Sequence, residues 1–163
     1  MSCFEGSRAK VPASIRTPDV VETSRLGRLE FFDGMPSDET VRKVYEGRVA
    51  FHDGADEIAP GVSVHHIGGH AKGLQCVRVK TRRGHVVLAS DATHLYNHLE
   101  QGRVFPMTYN VAEVLEGYAT LRKLATSEGH IVPGHDPKVL ARYPAAKPGV
   151  ENWIVRLDEA PNS

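Results

Sequence analysis

Three apolar stretches of this chain each end in a turn that carries a histidine or an aspartate. The stretches are strand-like, and the residues that follow them are His70, Asp91 and His135. Loops at strand ends are where a layered fold brings side chains from distant parts of the chain together, so this arrangement favours an α/β fold with one shared site. Imidazole and carboxylate groups are ligands of zinc, manganese or iron. A metal site is therefore the functional interpretation.

Each of these residues also has a purely structural interpretation. A histidine in a turn is commonly satisfied by hydrogen bonds, and an aspartate commonly accepts them from nearby amides. For any one of the three taken alone, this is the more common situation. The remaining histidines that lie in strands or near helix ends are interpreted as structural; they are His65, His66, His85, His98 and His130.

Bulk composition limits the partners that this chain can have. The 163 residues suffice for one domain, and 20 basic residues balance 20 acidic ones. Without a basic patch, neither nucleic acid nor a membrane surface is expected as a partner, which leaves a small molecule. Cys3 and Cys76 form no spaced pair, so a reduced, cytoplasmic protein is expected. No window approaches ~18 consecutive apolar residues, so neither a signal peptide nor a membrane span is expected.

The hydrophobic pattern divides the chain into an arm and a domain. Residues 1–35 show no sustained period and are predicted to form a poorly specified N-terminal arm, whereas residues 36–163 are predicted to form the domain. A small helix is predicted from Pro36, with Ser37 as its N-cap and an apolar stripe at Val41, Val44 and Tyr45. Strands are predicted at 48–52, 62–67, 74–80, 85–90, 130–133 and 153–157.

The clearest helix is predicted over residues 111–126. Asn110 and Glu113 form a capping-box pattern at its start, and Gly129 follows its end. Its apolar residues fall on one face, which must cover a sheet; they are Val114, Leu115, Tyr118, Leu121, Leu124 and Ala125. A second helix is predicted at 137–143. The fold class that follows is α/β (α+β), with one mixed sheet and both helices packed on a face.

The three turn segments, in this order, resemble the second half of the metallo-β-lactamase superfamily. In that superfamily a Gly-His-(Thr/Ala)-x-Gly segment, an apolar-Gly/Ser-Asp segment and a Pro-Gly-His segment each supply a zinc ligand. Within the superfamily, the sequence is most similar to the N-acyl homoserine lactonase-like branch, over roughly residues 40–160. The strings that carry this similarity are Val41-Arg42-Lys43-Val44-Tyr45-Glu46-Gly47-Arg48-Val49, Phe51-His52-Asp53-Gly54, Ser90-Asp91-Ala92-Thr93-His94 and Val155-Arg156-Leu157-Asp158. Because these segments occur together and in the order of the family, they favour the metal-site interpretation of His70, Asp91 and His135 over the structural one.

The resemblance implies half of an αβ/βα sandwich and a hydrolytic metal site. His70 and His135 would each serve a metal, Asp91 would bridge both, and a metal-bound hydroxide would attack a lactone or ester. His94 stands where lactonases often place a tyrosine, so it is expected to act catalytically with Asp91 by holding the substrate carbonyl oxygen or the product alkoxide. The intact family holds two zinc ions.

One departure from the family limits these expectations. The His-x-His-x-Asp-His motif of the superfamily is absent, since the first histidine of the chain is His52. The site is therefore expected to be incomplete, with one weakly bound Zn²⁺. Two functions stay open: a zinc hydrolase of lactonase type, and a truncated, non-catalytic domain or interaction module that keeps the fold. The second is favoured for the isolated chain, with self-association through the exposed sheet face.

Overall fold

The structure, a computed structural model, describes residues 38–162 as a five-stranded mixed sheet with packed helices. The predicted arm 1–35 and the predicted cap Ser37 lie outside the described residues. The strands are β1 (Ala55–Ala59), β2 (Val62–His66), β3 (Gln75–Thr81), β4 (Gly84–Ser90) and β5 (Ile131–Pro133). The helices are α1 (Asp38–Tyr45), α2 (Tyr96–Gln101), α3 (Val111–Leu124) and α4 (Lys138–Arg142), with a short 3-10 turn at Glu128–His130. The predicted α+β fold class is confirmed.

The strands lie in the sheet in their chain order. β1 to β4 form an antiparallel meander, and β5 pairs in parallel with β4. The predicted β3–β4 hairpin is present, with Arg82 and Arg83 between the paired residues Thr81 and Gly84. The connection from β4 to β5 contains α2 and α3, as a parallel crossover requires. Because β4 and β5 run in the same direction, the loops that follow them leave from the same end of the sheet.

One face of the sheet packs against α3. Side chains alternate along each strand, so Cys76, Val87, Ala89 and Ile131 point to this face and meet the apolar side of α3. The helix contributes Val114, Tyr118 and Leu121, all buried. Asn110 caps α3 as predicted, because its side chain accepts hydrogen bonds from the amides of Ala112 and Glu113.

The opposite face of the sheet carries a second, smaller apolar cluster. Val86, Val132 and Tyr143 form a second cluster there, joined by Val139 of α4 and by Val155 and Leu157. α4 therefore packs on the face opposite to α3, and not on one face with it as expected. Beside this cluster lies a groove of about 430 Å³; its lining residues are Val64, Gln75, Val77, Leu88, Ser90, Val132, Pro133 and Gly134.

Two predicted strands are wrong and two elements were not predicted. Residues 48–52 alternate in hydrophobicity, but the place beside β2 is taken by β1, which follows them. The predicted strand at 153–157 is reduced to one bridge between Ala145 and Val155, because residues 151–153 form a turn. β1 and α2 had not been predicted.

Among residues 38–162, none of the helices is both long and apolar enough to cross a membrane.

Candidate metal centre

The loops after β2, β4 and β5 bring three histidines around Asp91. His135 Nε2 donates a hydrogen bond of 2.5 Å to Asp91 Oδ1. His94 Nε2 lies 3.6 Å from the same oxygen, and His70 Nε2 lies 3.9 Å from Asp91 Oδ2. The ligand atoms of Asp91, His94 and His135 all lie within 4.8 Å of one another, as in a group that can hold a metal ion. This group contains two of the three residues predicted as ligands, Asp91 and His135, together with His94; His70 lies beside Asp91 but outside the group.

The loop that carries His70 is fixed against the start of α3. Gly69 has φ +83°, and a methyl group there would lie 2.8 Å from the backbone nitrogen of Val114, so only glycine allows this approach. The Gly69 amide donates to Glu113 Oε2, and the Asn110 amide donates to the Gly69 carbonyl. The capping residues of α3 therefore also hold the loop of the candidate ligand.

His70 itself is buried and oriented through its other ring nitrogen. Its Nδ1–H donates a hydrogen bond of 2.6 Å to the carbonyl oxygen of Met107. A carbonyl oxygen only accepts, so Nδ1 carries the proton and Nε2 bears the lone pair of the neutral ring. Nε2 is the nitrogen on the side of Asp91. A backbone carbonyl on the remote nitrogen is the usual way in which a ligating histidine is oriented.

Asp91 and His135 are brought together by a close approach of two loops. Ser90 leaves β4 with φ +49°, a left-handed conformation that few non-glycine residues adopt. A methyl group on Gly134 would lie 2.7 Å from the Ser90 carbonyl oxygen, so the β5 loop reaches this position only with glycine. The amides of Gly134 and His135 donate to the carbonyls of Thr93 and His94, which joins the two loops by backbone hydrogen bonds.

The ring of His94 packs between Phe105 and His135. Its ring stacks on Phe105 with centroids 3.7 Å apart and stands edge-on to His135 at 4.7 Å. Its Nε2 is buried and has no hydrogen-bond partner among the described residues. Burial lowers the pKa of His94 below its ordinary value; Asp91 opposes part of that shift, and the nearby imidazoles reinforce it. The ring is therefore neutral at pH 7, which is the form that binds metals.

Asp136, which the sequence analysis did not identify, stabilises the loop of His135 through backbone hydrogen bonds. It is buried, and its carboxylate accepts hydrogen bonds from the amides of Tyr96 and Lys138. It thereby joins the beginnings of α2 and α4 to the loop that carries His135. Its place next to His135 in the sequence was visible, but the amides that it would meet were not.

Three of the histidines interpreted as structural make hydrogen bonds of their own. His65 bonds Ser63, His66 donates to the carbonyl of Lys72, and His130 bonds Ser127 and the carbonyl of Arg83. His98 lies nearer the site, with its ring 6.2 Å from that of His94. His65, His66 and His130 are thus occupied outside the group around Asp91.

Asp91, His94 and His135 form a donor set that suits one zinc ion. Zinc in a tetrahedral site, with bonds of about 2.0–2.1 Å, separates its ligand atoms by about 3.3 Å. The 3.6 Å separation between Asp91 Oδ1 and His94 Nε2 is near this value. His70 Nε2, 3.9 Å from the other oxygen of Asp91, lies outside the group whose ligand atoms are all within 4.8 Å of one another. The shorter contact to His135 is a direct hydrogen bond, whose proton a metal ion would displace.

The comparisons with known proteins point to lactonases. No protein-family profile matches the sequence, and no curated protein matches it. Among solved structures, an N-acyl homoserine lactone hydrolase with the product N-hexanoyl-L-homoserine at its catalytic metal centre is 25% identical, with a TM-score of 0.50. The match covers 56% of this chain and 37% of that one. A variant of AiiA from B. thuringiensis with bound N-decanoyl-L-homoserine gives the same values.

A quorum-quenching N-acyl homoserine lactone hydrolase is 26% identical, with 56% of this chain and 38% of that chain covered and a TM-score of 0.50. The described residues therefore have the fold of part of a metallo-β-lactamase-type hydrolase, and the resemblance to the lactonase branch is confirmed. The chain spans a little more than a third of the length of the lactonases that it matches.

Proposed function

We propose that this chain carries part of a lactonase-type hydrolase site, in which His70, Asp91 and His135 hold one zinc ion. The observation that carries the proposal is the convergence of these side chains from three separate loops. The solved structures with similar folds include N-acyl homoserine lactone hydrolases, which supports a lactone as the substrate class; we extend this proposal to small-molecule esters. Zinc as the metal, a quorum-quenching role and a cytoplasmic location belong to the same proposal.

Within this proposal each residue has a defined task. A bound zinc ion acts as a Lewis acid and lowers the pKa of water. His70 presents Nε2 because Met107 holds its Nδ1–H, and Asp91 supplies the negative charge that favours a cation. His135, whose side chain is 60% exposed, is the member of the group most accessible to an arriving substrate.

The same proposal limits the activity of the isolated chain. The sequence contains no His-x-His-x-Asp-His motif, which supplies ligands to both zinc ions in the family. A single ion lacks the partner that would stabilise the oxygen released when a lactone ring opens. We therefore propose that the 163-residue chain binds metal and does not hydrolyse lactones by itself.

Metal binding tests the first part. After zinc loading and dialysis, we expect close to one ion per chain by elemental analysis, and a large loss in the Asp91→Asn variant. Asp56→Asn, which changes an exposed aspartate on β1, is the matched control and should bind as the wild type does. Two retained ions per chain, or equal binding by the Asp91 variant, would contradict the proposal.

A lactone-hydrolysis assay tests the second part. With zinc or manganese added, we expect no turnover above buffer. Turnover that disappears in Asp91→Asn would replace the non-catalytic proposal and keep the ligand assignment. Turnover that survives the substitution would refute both, because catalysis would then depend on other residues.

A further inference from the structure

We propose that the sheet face beside α3 carries an anion-binding site for the phosphate group of a small molecule. The site is formed by Ser63 of β2 and by Arg78 and Lys80 of β3. It is separate from the candidate metal centre and goes beyond the proposed function. Because its members come from adjacent strands, they form no basic run in the sequence.

The strand register places these side chains on one face of the sheet. Arg78 pairs with Ser63 on one side and with Val87 on the other, and Val87 belongs to the core under α3. Paired residues share a face and side chains alternate along a strand, so Ser63, Arg78 and Lys80 all point to the side of α3. Lys80 pairs with His85 at the beginning of β4. The group therefore lies toward the end of the sheet opposite to the loops of the metal centre.

The positive charge of this group has no carboxylate partner within the described part of the chain. Neither Arg78 nor Lys80 forms an ion pair there, and Arg78 Nε is buried without a hydrogen-bond partner. The register places Glu57 of β1 on the same face beyond Ser63, but its carboxylate accepts the Gly61 amide. Buried charged groups are normally paired, so an arriving anion would complete these contacts.

The pKa values of two nearby histidines reflect this positive charge. Burial, and after it the charge of Arg78, lowers the pKa of His65. Burial, followed by the charges of Arg78 and Lys80, lowers the pKa of His85. An electrostatic potential that disfavours a proton on an imidazole favours an anion at the same place.

The donor groups suit an oxyanion. A guanidinium presents its N–H groups in a planar fork that matches phosphate, and an ammonium adds a point charge. Arg78 and Lys80 are two positions apart on β3, or about 6.6 Å, so both side chains can reach one phosphate. Ser63 Oγ lies 2.9 Å from His65 Nε2 and can accept from it while its own proton turns to the anion. Two cations are too few for a nucleic-acid backbone, which needs several contacts, so the occupant is a small molecule.

Titration of the 163-residue chain with inorganic phosphate, followed by heteronuclear NMR, tests the proposal. A chelator is present so that no metal ion binds phosphate at Asp91. We expect saturable binding, with the largest shifts at Ser63, Arg78 and His85. Arg78→Gln should weaken the affinity roughly tenfold, because the strong hydrogen bonds between a guanidinium and an oxyanion are lost.

Arg103→Gln is the matched control, because it removes the same charge from an exposed position in the loop after α2. Its affinity for phosphate should equal that of the wild type. An absence of saturable binding, an equal loss in both variants, or shifts centred on Asp91 would overturn the proposal. Should Arg78→Gln fail to fold by circular dichroism, Lys80→Gln, a change at an exposed residue, gives the same comparison.

Phospholipid vesicles distinguish the two sources of a phosphate group. Vesicles that contain phosphatidylglycerol present the same chemistry on a lipid surface, and we expect the chain to remain in solution when they are sedimented. Binding to these vesicles together with an unchanged NMR spectrum in soluble phosphate would overturn the assignment of a small molecule.

Discussion

Gly134 is the residue on which the approach of two site loops depends. A methyl group there would lie 2.7 Å from a backbone oxygen of Ser90, which cannot move without disturbing β4. We expect Gly134→Ala to lower the free energy of unfolding by about 1–3 kcal/mol in urea denaturation, since overpacking forces backbone shifts. Zinc affinity should fall with it, because His135 is displaced.

Gly129→Ala is the comparison for this substitution, because the added methyl group would only reach ordinary contact, 3.7 Å from Ser127 Oγ. Its unfolding curve should lie close to that of the wild type. Equal stability of both alanine variants would show that the loops can separate without cost.

The thiol of Cys76 should not react with thiol reagents in the folded protein. Cys76 is fully buried on the α3 face, and burial raises the pKa of its thiol to about 12. The thiolate is the reactive form, so almost none of it is present at pH 8. In a Cys3→Ser background, a thiol reagent should label Cys76 only after denaturant is added. Rapid labelling of the native protein would contradict the packing of β3 against α3.

At the level of elements, the first turn of α3 is coupled to the metal loop through one carboxylate. Glu113 accepts hydrogen bonds from Asn110 Nδ2 and from the Gly69 amide, so it serves the helix cap and the His70 loop together. We expect Glu113→Ala to weaken zinc binding roughly tenfold in calorimetric titration, the usual effect of losing a group that orients a ligand. Glu116→Ala, an exposed change on the same helix, should leave affinity unaltered. Comparable affinities in the two variants would disprove the coupling.

The sequence revealed those elements whose signals are local. α3 has a cap and an apolar face, and the β3–β4 hairpin has two alternating strands around a tight turn, so both were predicted. β1 was missed because its segment ADEIA holds a single large apolar residue and gains its place only by pairing with β2. The N-cap residue of α2 is Leu95, whose side chain cannot form a capping hydrogen bond, and the carboxylate at the start of this helix comes from the distant Asp136, so nothing local in the sequence indicated where α2 begins.

The candidate site likewise has features that the sequence predicts and features that only the folded chain defines. His70, Asp91 and His135 were predicted together because each follows an apolar strand, and strand ends are visible in a sequence. His94 was predicted at the site from the family resemblance, as a residue that contacts substrate. Its stacking on Phe105, eleven residues later in the chain, could not be predicted because that contact forms only in the folded chain. The amides that Asp136 accepts from likewise belong to helices whose placement only the folded chain defines.

For the whole molecule, the groove on the sheet face opposite α3 predicts self-association. The groove on this face is lined by valines and leucine, and it includes Gln75, whose buried amide has no hydrogen-bond partner within the described residues. Apolar surface of this kind usually marks a contact with another layer. We expect light scattering to show a mass that rises with concentration, and a hydrophobic dye to bind. A constant monomer mass without dye binding would mean that the face is already covered.

The order of the strands determines how far such assembly can proceed. β1 and β5 are the outer strands of the sheet; β1 carries Asp56 and Glu57 and has an irregular register after Glu57, while β5 is three residues long and ends in Pro133. Charges, irregular pairing and proline are the features that stop one sheet from extending into the next. Copies of this chain should therefore join face to face in small, finite complexes, and concentrated samples should give no amyloid-type fibres.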